Sequence, residues 1–151
     1  MYDLIIIGAG PIGMTCAIEA KRAGLDALII DKGMLVNTLF HFPTNMTFFS
    51  TSLLLEIGDV PFVSHDEKPT RRESLEYYRR VYESWKLNTH FYEEVLDVKK
   101  EGQRFKVSTT KETYHSKAVV VATGFYDLPV MMNVPGEELP KVMHYYDEPH
   151  R

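Results

Sequence analysis

Tyr2 to Asp31 read YDLIIIGAGPIGMTCAIEAKRAGLDALIID, and this stretch decides the fold. Leu4 to Ile7 form a short, unbroken apolar run, which is typical of a parallel strand covered on both faces. Gly8 to Gly13 follow it directly as G-x-G-x-x-G. Ala27 to Ile30 form a second apolar run that ends at an acidic residue. The order predicts a strand, a tight turn, a helix and a second, parallel strand.

The residues after the glycines have the spacing of a helix. Ile12, Cys16, Ala20 and Ala23 recur at helical intervals and are predicted to form its packed face. Gly24 suits the left-handed conformation at a helix exit. Because buried cysteines behave as small apolar residues, Cys16 is expected to be structural.

The three glycines and the acid fit a dinucleotide. Gly8 allows the tight turn, Gly10 lets the backbone approach a pyrophosphate, and Gly13 lets the helix pack closely on the strand. The helix directs its unpaired amides and the positive end of its dipole at the phosphates. Asp31 stands where a carboxylate accepts both hydroxyls of an adenosine ribose and repels a 2′-phosphate. The predicted ligand is FAD or NAD; the alternative is a tight turn that binds nothing.

Composition narrows the class of protein. The 151 residues predict one domain with a real core, and the net charge of −4 gives no reason to expect nucleic acid. No apolar run approaches the roughly 20 residues of a membrane span, so a cytoplasmic location is expected. The single cysteine excludes an internal disulfide, and the six histidines show no metal-ligand spacing, so no metal site is predicted.

Beyond Asp31 the chain alternates between loops and regular elements. Lys32 to Phe49 are predicted to be a long loop on the ligand side of the sheet, whose aromatic residues either border a flavin ring or fill space beneath the loop. Ser50 to Ile57 suit a short helix. Thr70 to Lys86 are predicted to be a helix that begins with a capping box and packs through Leu75, Tyr78, Tyr82 and Trp85.

The second half of the chain is predicted to complete the sheet. Asn88 to Tyr92 suit a third parallel strand, and alternation over 93–115 predicts a three-stranded antiparallel meander. Ala118 to Ala122 suit a buried parallel strand that ends at Thr123-Gly124. Residues 125–151 show neither helical nor strand period. The predicted fold class is α/β, with a parallel sheet and an inserted meander.

Four segments narrow the interpretation further. FPTNMTFFSTSLLLEIGDVPF, KPTRRESLEYYRRV, VVVATGFYDLP and NVPGEELPKVMHYYDE resemble the bacillithiol-disulfide reductase family, within the thioredoxin-reductase-like flavoproteins. The resemblance extends over essentially all 151 residues. It implies a Rossmann-like, three-layer FAD-binding domain, NADPH on a second domain, and a low-molecular-weight disulfide as substrate. It assigns no catalytic residue here, and it places these residues at the FAD: Gly8, Gly10, Pro11, Ile12, Gly13, Asp31, Lys32, Val95, Thr123 and Gly124.

The sequence departs from that family in two ways. The family usually has a cysteine between Pro11 and Gly13, where this chain has Ile12. Family members are about twice as long and carry a second G-x-G-x-x-G for NADPH. The chain is therefore interpreted as an amino-terminal part, with an FAD-binding domain over 1–124 and a linker over 125–151 toward a missing NAD(P)H-binding domain. Alone, it is expected to be inactive.

Two other interpretations stay open. ATGFYDLP followed by VPG also resembles the linker of flavin monooxygenases. A catalytically silent nucleotide-binding module is the third hypothesis. Apolar surface left uncovered in a partial chain leaves a homo-oligomer open as well.

Overall fold

A computed structural model describes residues 1–149 of the chain. Over these residues the elements in chain order are β1 (Tyr2–Ile7), α1 (Pro11–Arg22), β2 (Ala27–Ile30), α2 (Asn37–Phe40), α3 (Ser52–Leu55), α4 (Arg71–Trp85), β3 (Thr89–His90), β4 (Val95–Glu101), β5 (Arg104–Thr109) and β6 (Thr113–Val121). None of the described helices is long and apolar enough to cross a membrane.

All six strands join one mixed sheet in the order β3-β2-β1-β6-β5-β4. Strands β3, β2, β1 and β6 are parallel neighbours, whereas β6, β5 and β4 pair in antiparallel fashion. The predicted α/β class, the Rossmann-like parallel sheet and the antiparallel meander are confirmed.

One strand assignment was wrong. The last meander strand and the apolar run that begins at Ala118 are a single strand, β6, which ends at Val121. The predicted burial of this run is also wrong, because Ala118 and Val121 are exposed. Ser116 pairs with Phe105 of β5 in antiparallel fashion, and Ala118 pairs with Leu4 of β1 in parallel fashion. Two polar residues join the halves of this strand, and Ser116 is buried while Lys117 is exposed. The alternation of buried and exposed residues in the meander therefore reaches the apolar run without a turn signal between them.

Strands β1 and β2 are covered on both faces, which explains their continuous apolar runs. On one face, Ile6 and Ile29 pack with Met14 of α1 and Tyr77 of α4. On the other face, a second cluster joins the sheet to the meander through Ile5, Leu28, Ile30, Val107 and Tyr114. Helices, parallel sheet and meander therefore form three layers.

The packed face of α1 differs from the predicted one. The buried residues are Gly13, Met14, Ala17, Ile18 and Ala20. Ile12 is 69% exposed, Ala23 is exposed, and Cys16 is only partly buried at the margin of the core. Contact between Gly13 and the end of β1 fixes the rotation of the helix and turns Ile12 away from the sheet.

Helix α4 begins as predicted. The Glu73 N–H donates to Oγ1 of Thr70 at 3.3 Å, and the Thr70 N–H donates to Oε2 of Glu73 at 2.8 Å. The capping box is confirmed. The helix buries Ser74, Tyr77, Tyr78 and Val81, so only Tyr78 of the predicted stripe is fully buried, and the other three predicted residues pack at the margin.

Two elements are shorter than predicted. Strand β3 has only two residues, because Tyr92 adopts φ +52° and turns the chain. The helix predicted over 50–57 is limited to α3, which has no buried residue. After Val121, the described part of the tail contains neither helix nor strand.

Candidate functional site

The glycine-rich turn has two crowded positions and one open position. A Cβ at Gly8 would lie 2.3 Å from the carbonyl oxygen of Ala122, and Gly8 has φ +113°. A Cβ at Gly13 would lie 1.9 Å from the carbonyl oxygen of Gly8. At Gly10 an added Cβ meets no atom within 4 Å. The first and third glycines thus serve close packing, while the second leaves free space above the turn.

Helix α1 starts at this free space. Gly10 is its N-cap, Pro11 is its first residue, no side chain caps its N-terminus, and its first turn has no acidic residue. The amides of the first turn and the positive end of the helix dipole are thus available to an anion. Pro at the first helical position removes a donor that would have no partner within the helix.

A cavity of about 570 Å³ opens at the carboxyl ends of the parallel strands. The ends of β1, β2 and β6 contribute to it, as expected for ligand sites in open α/β sheets. Nine of the ten predicted FAD residues line it: Gly8, Gly10, Pro11, Ile12, Asp31, Lys32, Val95, Thr123 and Gly124. The tenth, Gly13, lies behind Gly8 and supports the turn.

The Asp31 carboxylate is held in place by backbone donors. Its Oδ2 accepts the Ala9 N–H at 2.6 Å, and its Oδ1 accepts the Gly33 N–H at 2.7 Å. Each oxygen keeps a second lone pair for another donor. The carboxylate therefore links the glycine-rich turn to the loop after β2 and can still accept hydroxyl groups in the cavity.

Lys32 lines the cavity and forms an ion pair there. Its Nζ lies 2.6 Å from Oδ2 of Asp127, in the tail. The hydrogen bond with Asp127 raises the pKa of Lys32 above its ordinary value. Next to this pair, the Tyr126 ring contacts Phe42 with 4.8 Å between ring centroids. The tail therefore lies at the mouth of the cavity.

The segment predicted as a long loop also contains α2, and its aromatic residues are divided between the cavity and the core. Phe42 lines the cavity, whereas Phe48 packs against the core and Phe49 is 90% exposed. A second cavity of about 680 Å³ adjoins the first through Lys32, Asn37, Tyr126 and Asp127, which line both.

Sequence reasoning missed part of the cavity lining. The lining residues that were not predicted individually are Ile7, Ile30, Val36, Asn37, Thr38, Leu39, Phe42, Glu93, Glu94, Ala122, Phe125, Tyr126 and Asp127. The polar and aromatic composition of residues 32–49 had indicated that this loop lies at the ligand side of the sheet, but not which of its residues line the cavity. No sequence signal indicated the tail residues, because contacts between distant segments have no local pattern.

Within residues 1–149, no cluster of three or more His, Cys, Asp or Glu side chains has the geometry of a metal site.

Comparison with known proteins places the chain in a family. Residues 5–151 match the family described as Pyridine nucleotide-disulphide oxidoreductase. The chain belongs to this family. It is 48% identical over 147 residues to the bacilliredoxin reductase Bdr of Bacillus subtilis (strain 168), covering 97% of this chain and 45% of that protein.

Two solved structures have nearly the same fold. The bacillithiol disulfide reductase Bdr of Staphylococcus aureus superposes with a TM-score of 0.95 at 46% identity, over 97% of this chain and 46% of that one. The Bacillus cereus enzyme of the same name gives a TM-score of 0.95 at 47% identity, over 97% and 47%. The predicted resemblance is confirmed, and the chain spans about half the length of these relatives.

Proposed function

We propose that the 570 Å³ cavity binds FAD, as the amino-terminal portion of a flavin-dependent reductase that uses NADPH to reduce a low-molecular-weight disulfide. The observation that carries the proposal is the convergence of Gly10, the uncapped start of α1 and the Asp31 carboxylate on this one cavity. These are an anion site and a hydroxyl acceptor at the ends of adjacent parallel strands, which suits the pyrophosphate and ribose of a dinucleotide.

Each part of the cavity has a proposed role. Gly10, Pro11 and Ile12 hold the pyrophosphate, since the free space at Gly10 lets phosphate oxygens reach the first-turn amides. Asp31 accepts the ribose hydroxyls. Four residues border the adenosine: Lys32, Val95, Thr123 and Gly124. When bound, FAD supplies the hydride and electron transfer, and the protein orients it.

We also propose the domain division 1–124 and 125–151. Support comes from β6, which ends at Val121 and completes the sheet, and from the lack of helix or strand over 122–149. The tail suits a linker toward an NAD(P)H-binding domain.

The substrate proposal rests on the relatives, whose names are bacilliredoxin reductase and bacillithiol disulfide reductase. Cys16, the one cysteine of the chain, lies on α1 at the margin of the core and does not line the cavity. We therefore assign no catalytic residue to this chain. A cytoplasmic location and self-association through exposed apolar surface belong to the same proposal.

A calorimetric titration of the 151-residue chain with FAD tests the proposal. We expect weak binding with one site per chain, loss of most affinity in Asp31→Ala, and no NADPH oxidation with or without a disulfide. No FAD binding at millimolar concentration would contradict the site. A yellow monomer with one FAD per chain that oxidises NADPH would instead contradict the division into a partial chain and a missing domain.

A further inference from the structure

The backbone of Asp31 is held from both sides by one short segment, residues 90–93. The Asp31 N–H donates to the His90 carbonyl oxygen at 3.0 Å, and the Glu93 N–H donates to the Asp31 carbonyl oxygen at 2.9 Å. Tyr92, between them, has φ +52° and donates its N–H to the Gly33 carbonyl oxygen at 3.0 Å. This segment therefore wraps around the residue proposed to accept the ribose.

Glu93 is buried where a carboxylate is costly. Only 2% of its surface is exposed, and a buried charge is tolerated when hydrogen bonds compensate for lost hydration. Its Oε1 accepts the Thr109 hydroxyl of β5 at 2.6 Å, and its Oε2 lies 3.4 Å from Nδ1 of His90. Tyr114 of β6 completes the cluster, with its hydroxyl 3.0 Å from the same Nδ1.

The charged form of Glu93 is favoured at this position. Burial raises the pKa of the carboxyl, but hydrogen bonds from Thr109 and Tyr114 and the charges of His90 and Lys111 together bring it below its ordinary value. The Glu93 carboxylate thus joins the end of β3 to β5 and β6. Because the Glu93 backbone also holds Asp31, the meander is connected through this side chain to the edge of the cavity.

We propose that Glu93 is a positioning residue for Asp31. Through the backbone of residues 90–93, Glu93 fixes the Asp31 carboxylate that accepts the ribose. This inference rests on the proposed FAD site. The neutral and nearly isosteric Glu93→Gln removes the charge that gathers Thr109, His90 and Tyr114, so the turn around Asp31 loosens. The exposed Glu101→Gln, at the end of β4, is the matched control because it makes the same change of charge and size.

The test has two readouts on the 151-residue chain. In amide NMR spectra without ligand, the Ala9 and Gly33 N–H groups report directly on the Asp31 carboxylate, to which both donate. We expect both signals to shift toward the values of more weakly hydrogen-bonded amides in Glu93→Gln and to stay in place in Glu101→Gln. By calorimetry, we expect the Kd for FAD to rise about fivefold in Glu93→Gln only, as for coupled residues in one network.

Unchanged Ala9 and Gly33 signals in a folded Glu93→Gln protein would overturn the inference. An FAD Kd equal to that of the wild type would overturn it as well, while leaving the FAD site itself intact. If the wild type binds no FAD, the proposed function fails and the role of Glu93 toward a ribose fails with it. Thr109→Val removes the 2.6 Å hydrogen bond and serves as a second variant if Glu93→Gln does not fold.

Discussion

Replacing Gly13 with alanine tests the packing that fixes the glycine-rich turn. The new Cβ would lie 1.9 Å from the Gly8 carbonyl oxygen and 3.0 Å from the Gly8 carbonyl carbon. Because both are backbone atoms at the end of β1, α1 must move away from the sheet. Overpacking of this kind costs about 1–3 kcal/mol, or more against backbone, while alanine in a helix recovers up to about 1 kcal/mol. We expect a net loss of about 2 kcal/mol.

Thermal unfolding and FAD titration measure the two consequences. A loss of about 2 kcal/mol lowers the Tm of a domain of this size by about 6 °C. Gly10→Ala is the matched control, because its Cβ meets nothing within 4 Å and its φ of −79° suits any residue. That variant should unfold like the wild type within about 0.5 kcal/mol. It should nevertheless bind FAD about tenfold more weakly, a loss of about 1.4 kcal/mol, because the methyl group occupies the proposed pyrophosphate space.

Two results would refute this reasoning. The first is a Gly13→Ala protein with the Tm of the wild type, which would show that α1 is not pressed against β1. The second is a Gly10→Ala protein that loses as much stability as Gly13→Ala, which would show that the second glycine is needed for the fold rather than for a ligand.

Four further predictions follow from the described contacts. Asp31→Ala should cost more free energy of FAD binding than free energy of unfolding. Equal FAD affinity in Asp31→Ala and in the wild type would exclude the ribose assignment. Thr70→Ala should lower the free energy of unfolding by about 1 kcal/mol, as for other N-cap residues. Hydrogen bonds from the His65 and Thr70 backbones hold the pKa of Glu73 below its ordinary 4.5. Its charged form therefore stabilises the fold above that pH, and the difference in free energy of unfolding from Glu73→Gln should narrow as the pH falls through the lowered pKa. A difference that does not narrow on acidification would contradict this. Cys16, partly buried against the core, should react with a thiol reagent far more slowly than in the unfolded chain, and equal rates would contradict a structural role.

The features that the sequence predicted best are those determined by residues close together in the chain. The first strand, the glycine-rich turn, α1 and β2 lie within 30 residues, and each step has its own local signal. The capping box at Thr70 is similarly local. The cavity lining from Gly8 to Asp31 could be predicted for this reason.

Features set by contacts between distant segments could not be predicted in this way. The rotation of α1 depends on the contact of Gly13 with Gly8, and helical periodicity gave the wrong face because small residues occur on several sides of the helix. The Lys32 and Asp127 ion pair joins residues far apart in sequence. The continuity of β6 depends on two different partner strands.

The position of β1 in the sheet has a consequence for synthesis on the ribosome. β1 pairs on one side with β2, which follows soon after it, but on the other side with β6, whose paired residues begin at Ser116. That edge of β1 therefore stays without its strand partner until more than 110 further residues have been made, and the long loop to be closed makes pairing slow. A nascent chain exposes this apolar parallel edge until residues 116–121 have been made, which is the period when chaperones or premature pairing with another chain act on it.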